Sequence, residues 1–157
     1  MADASLLLSG LVLAGLHHLA VFALFAVLVM ELAICLRQTL ASEDLKRLAL
    51  LDLHYGALAV LVLLAGGLRV MYGGKGADYY LENLFFWAKM GIFLAIGLIS
   101  ILPTLRILSW RRQLKADPAF VPPAAGHRLV RRALVAELLL FPLLPLFAAA
   151  MAQGYGL

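Results

Sequence analysis

Four apolar runs, at about 14–36, 48–70, 84–108 and 129–151, decide what this chain can fold into. Roughly 20 apolar residues at 1.5 Å rise cover the ~30 Å hydrocarbon core of a bilayer. Within lipid, every backbone N–H and C=O must find its partner inside the segment, so runs of this kind fold as helices. Composition points the same way. Of 157 residues 64% are hydrophobic and 14% charged, with a mean hydropathy of +0.98; a soluble domain carries about 25% charged residues. The expected fold is all-α: one polytopic domain over residues 1–157, a four-helix transmembrane bundle whose solvent is the lipid bilayer. The first apolar run already begins at Leu6, too long for a signal-peptide core. Met1-Ala2-Asp3-Ala4 has no basic character, so this segment is expected to be retained.

The charges set an orientation. Ten of the thirteen Lys and Arg residues lie in two places, Arg37–Arg47 and Arg106–Arg132. By the positive-inside rule, loops 37–47 and 109–128 are expected to be cytoplasmic. Both termini and a lid at 71–83 then face outward. The formal charge of +4 is absorbed by this clustering and does not point to nucleic acid. Ser42-Glu43-Asp44 supplies an N-cap and an acidic first turn for the second helix. Trp87 and Trp110 are expected near opposite membrane interfaces.

Polar residues inside the spans fall into two layers. Glu31 is about 9 Å above Arg37 along its helix. Asp52, His54 and Tyr55 share that depth on the second span, Glu137 on the fourth, and Thr104 and Arg106 on the third. An ionisable group at membrane depth costs a few kcal/mol. Glu31, Asp52, His54, Tyr55, Arg106 and Glu137 are therefore expected to form a buried network, as polar glue between helices or as a proton or ion site.

The second layer is the segment Arg69–Lys89, a polar and aromatic island between two apolar runs. Arg69 and Lys89 lie inside the spans that flank it, and His17 and His18 reach the same height on the first span. Adjacent residues point about 100° apart, so only one of the two histidines can face the bundle centre squarely. With Tyr72 and Trp87 these residues form a cationic, aromatic outer pocket. Its ingredients suit haem b: imidazole of His17 or His18 for the iron, and Arg or Lys for the propionates. Lys75 and Asp78 read as solvated charges. Pro103, Pro142 and Pro145 are expected to kink their helices. Gly56, Gly66, Gly67, Gly91 and Gly97 allow close helix approach within the bundle or in a homo-oligomer. Cys35 reads as a small buried hydrophobe. There is no phosphate-binding loop, dinucleotide fingerprint or nucleophile elbow.

The patterns HHLA…E…R, KRL…D-x-x-Y-G, GLRV-x-Y-x-x-KG-x-x-YY-x-x-N-x-x-FWAK and L-P-T-L-R resemble a bacterial family of four-span membrane proteins known as domain of unknown function 2214. That resemblance implies a fold, a place in the bacterial inner membrane and no activity. A weaker similarity is to the HemJ-type membrane protoporphyrinogen oxidases. It rests on His18-Leu19, Lys46-Arg47-Leu48, Gly66-Gly67-Leu68 and Trp87 followed by Lys89, and implies roles for His18 and Lys89. That family carries a further histidine late in its third span, where this chain has Ser100, Pro103 and Thr104. Three functions follow from these readings: a membrane protein binding haem or a cofactor of porphyrin or quinone size, a non-enzymatic structural or assembly protein, and a proton-coupled transport component.

Overall fold

The computed structural model describes residues 2–72 and 76–156, with side chains from Gly10 onward; Lys75 lies outside the described residues. The described residues form six helices: α1 (Ala2–Cys35), α2 (Ser42–Tyr72), α3 (Ala77–Leu81), α4 (Leu84–Ala116), α5 (Ala124–Leu140) and α6 (Leu143–Ala152). α1, α2, α4 and the α5–α6 pair are long and apolar enough to cross a membrane. They run up and down in sequence. α1 packs on α2 and α5, and α4 packs on α2, α5 and α6, so the four spans close into a ring.

Each helix buries one stripe at spacings of three and four. On α1 this is Leu24, Leu28, Glu31 and Cys35; on α2, Leu45, Leu48, Asp52 and Tyr55; on α4, Pro103, Ile107, Trp110 and Leu114; on α5, His127, Val130, Leu134 and Glu137. This three-and-four spacing is that of a helix-bundle seam. The opposite faces are apolar and exposed, as at Leu53, Leu64, Leu94 and Leu139, and in a membrane they meet acyl chains.

Two expectations are corrected. α4 runs on to Ala116, so Arg111, Arg112 and Lys115 are helical and the connecting loop is shorter than 109–128. The reason is that the buried stripe continues through Trp110 and Leu114, and the helix stops only before Pro118. Trp110 is consequently inside the bundle, not at a lipid interface. Of the three prolines, Pro103 sits within a continuous helix. The fourth span breaks at Phe141-Pro142, dividing α5 from α6, and Pro145 falls in the first turn of α6, where a missing N–H costs little.

The two ends are tied differently. At the basic end, Asp44 bonds the guanidinium of Arg37 and accepts from the Ala41 N–H at 3.1 Å. The side-chain cap of α2 is thus Asp44 reaching back to Ala41, the carboxylate half of a capping box. At the lid end, the fully buried Asn83 accepts from the N–H groups of Phe85 and Phe86 and donates to the Tyr155 carbonyl at 2.9 Å. Leu84 N–H donates to Gly156 O at 2.9 Å, and Tyr79 donates to Met151 O at 2.6 Å. Gly156 has φ +87°, and a Cβ there would stand 2.7 Å from Phe85 Cδ2. Only glycine fits that crossing.

Candidate functional site

The buried stripes of four helices each place a polar group in one layer. Asp52 and Tyr55 are three residues apart on α2, so they share its inner face. Glu31 comes from α1, Glu137 from α5 and Thr104 from α4. Glu31 is 1% exposed, Glu137 0% and Asp52 8%. Tyr55 donates to Glu137 Oε2 at 2.8 Å, and Thr104 donates to Asp52 Oδ1 at 2.6 Å. Glu31 lies within electrostatic range of both Asp52 and Glu137. Oε1 of Glu31 and Oε1 of Glu137 are buried with no hydrogen-bond partner. Among the described residues no Lys or Arg pairs with any of the three carboxyl groups, and no cluster has the geometry to hold a metal ion.

Two residues expected in this network are not in it. His54 is two positions from Asp52, about 200° round the helix; it is exposed and bonds Leu50 O on its own helix at 2.7 Å. Arg106 is also exposed, because the inner face of α4 is taken by Pro103 and Ile107. Depth along the helix brought both to the right layer, but azimuth turns them outward.

His127 is the residue that sequence reasoning passed over. Its place among loop charges hid it, yet it continues the Val130–Leu134–Glu137 stripe and is 8% exposed. Its Nε2 meets Cys35 O at 2.9 Å. A carbonyl can only accept, so Nε2 carries the proton. Cys35 O is one of the carbonyls left without a partner at a helix C-terminus, and His127 satisfies it from across the bundle. Cys35 is one helical turn, about 6 Å, below Glu31. The imidazole therefore stands between the acidic layer and the basic end. Arg131, half-buried, is within electrostatic range of Cys35.

In the outer layer the structure separates the two histidines. His17 turns inward: its ring meets the Val62 carbonyl, and a Cβ on Gly66 would lie 3.2 Å from its Cε1. His17 Nδ1 is buried without a partner. Arg69 and Lys89 both act on it electrostatically, and Lys89 also stands 5.6 Å from the Phe86 ring centroid. His18 is exposed, as are Tyr72 and Trp87, whose indole donates to Leu81 O at 2.9 Å. Asp78 is exposed.

Comparison with known proteins fits this architecture. A family described as "Predicted membrane protein (DUF2214)" matches residues 9–156. The chain belongs to that family. It is a small, membrane-embedded protein with four helical spans, and the DUF2214 match takes in every residue of both polar layers. No curated protein and no solved structure matches.

Proposed function

We propose that this DUF2214 protein is a proton-coupled membrane component whose Glu31–Asp52–Glu137 group takes up and releases protons. One observation carries the reading: three carboxyl groups from three helices come within electrostatic range of one another in the bundle, two of them with an unpaired buried oxygen, and among the described residues no cation bonds any of them. Carboxylates placed side by side away from water cannot all be ionised. The group therefore shares exchangeable protons, titrating as a unit. Tyr55 and Thr104 orient two of its members. His127, bonded to the Cys35 carbonyl at 2.9 Å, is the buried imidazole between this layer and the basic end. The positive-inside rule supports setting that end in the cytoplasm of a bacterium. The exposed glycines Gly56, Gly67, Gly91 and Gly97 have open space where a Cβ would stand, which supports close approach of a second copy.

Infrared pH-difference spectra of the purified protein test the site. A protonated-carboxyl band that shifts in D2O is expected. It should shrink in Glu31→Gln and Glu137→Gln and stay unchanged in Glu82→Gln, an exposed acid. Spectra lacking such a band would sink the reading. Vesicles carrying an internal pH dye then test passage: under an imposed potential, wild-type vesicles should acidify faster than vesicles with Glu31→Gln.

A second reading concerns haem b. The inward His17 is packed against Gly66 of α2 with its Nδ1 buried, and does not fit an iron ligand. His18 does: its ring is exposed on the outer third of α1, with Arg69 and Lys89 in the same layer for carboxylates. Bound haem would supply redox chemistry; the chain would hold its iron and its acid groups. Protein purified after haem supply should show a Soret band that His18→Ala removes. Colourless protein would end this reading.

A further inference from the structure

The basic end of the bundle carries a groove that neither polar layer uses. It lies between α2 and α4 and has a volume of about 550 Å³. Its lining changes character with depth. Lys46, Arg111 and Lys115 stand toward the end of the bundle, and Leu50, Leu53 and Leu114 form apolar walls. Along α2, Lys46 to Leu53 climbs about 10 Å toward the membrane midplane. Cations at the rim and leucines within are the profile of a phospholipid: phosphate outside, acyl chain inside.

The charges need such a partner. Arg111 and Lys115 are four residues apart on one helix, an arrangement of like charges that is unfavourable without a counter-ion. Among the described residues, neither has a carboxylate within ion-pair distance. Lys46 is paired with Glu43 at 2.7 Å, one turn of helix away, with both side chains largely exposed. Ser42 adds a hydroxyl to the same wall. Arg111 presents a planar donor fork suited to phosphate oxygens, and Lys115 adds a point charge beside it. Leu50 and Leu53 are more than half exposed; on the lipid-facing side of the groove they offer an acyl chain a track between the helices.

We infer that the α2–α4 groove is a binding site for an anionic phospholipid of the leaflet facing the basic end. The phosphate is held by Arg111 and Lys115, and one acyl chain lies along Leu50 and Leu53. A free phosphate would satisfy the cations but leave the leucine walls uncovered, so the site is assigned to the lipid.

The test uses the full chain in a zwitterionic detergent. Native mass spectrometry and thermal unfolding are followed during titration with phosphatidylglycerol, phosphatidylcholine or inorganic phosphate. Phosphatidylglycerol is expected to be retained and to raise the melting temperature; the other two should do neither. Arg111→Gln/Lys115→Gln should weaken retention roughly 30-fold, the loss expected for two headgroup cations. Arg128→Gln/Arg132→Gln removes the same charge from the exposed side of α5 and should leave retention close to wild type. Leu50→Ala/Leu53→Ala keeps every charge and should still weaken retention several-fold by shortening the apolar track. Arg111→Lys/Lys115→Arg should bind. The inference is overturned if phosphatidylcholine is held equally well, if inorganic phosphate stabilises as much as the lipid, or if the α5 pair weakens retention as much as the groove pair. The leucine variant decides the matter even if the charge variant folds poorly.

Discussion

Trp110→Ala is expected to destabilise the bundle by about 3–5 kcal/mol, the range for emptying a large aromatic site in a packed interior. The side chain is 3% exposed and lies in the inner stripe of α4 between Ile107 and Leu114. It packs on α5 at Gly126, where an added Cβ would sit 3.5 Å from its Cζ2. Removing it therefore opens a cavity between α4 and α5, beside the helix that carries His127 and Glu137. Lipid does not refill such a space from within the bundle, and helix association in a membrane rests largely on close packing. Trp87 supplies the control. It is 56% exposed with one hydrogen bond to Leu81 O, so Trp87→Ala should cost about 1 kcal/mol. Equilibrium unfolding in mixed micelles measures both. Similar losses for the two would show that Trp110 is not part of the core.

The second large effect lies in the acidic layer. Tyr55→Phe strips Glu137 Oε2 of its donor in a residue whose Oε1 already has none. Leaving a buried acceptor unmade costs about 1–3 kcal/mol. Glu137→Gln keeps an acceptor for the Tyr55 hydroxyl and removes a carboxyl from the group, so its loss should be smaller. In the double variant the two costs should fall short of their sum, because the pair shares one bond. Strict additivity in that cycle would mean that Tyr55 and Glu137 act independently, against the geometry. Taken with the infrared measurement, the cycle separates stability from proton exchange: Glu137→Gln should leave the fold intact while altering the carboxyl band.

Much of the architecture was legible without coordinates. Runs longer than a bilayer is thick, almost uncharged and separated by short polar segments, permit little other than a helical bundle, because lipid offers backbone groups no alternative partner. Depth was legible too. Counting residues from the nearest cationic boundary put Glu31, Asp52 and Glu137 at one level, and these are the acids the fold buries together. Azimuth was the weaker coordinate. His54 and Arg106 have the right depth and the wrong face, since each helix has one inner stripe and Asp52 and Pro103 occupy it. The three- and four-residue spacing on α2 excludes His54 from the inner stripe, because Asp52 and Tyr55 cannot share a face with it.

Other features could not be read from the chain. His127 looked like a loop residue because α5 begins in a segment rich in proline and alanine. Its stripe is recognisable only once the start of the helix is known. The plug at the lid end joins Asn83 to Tyr155 and Leu84 to Gly156, contacts about seventy residues apart that no local pattern announces. The outward turn of His18 against the inward turn of His17 depends on the rotation of α1 against α2, which brings His17 close to Gly66.

The sequence by itself determined the solvent, the number of crossings and the layering of polar groups, because these follow from hydrophobic length and helical rise, both local quantities. The tertiary structure alone decided which members of each layer meet. That choice depends on how four helices rotate about their axes to bury one stripe apiece, and rotation is settled by packing between segments far apart in the chain. It left three acids facing one another with no cation bonded to them among the described residues, and that convergence is what gives the chain a candidate chemistry.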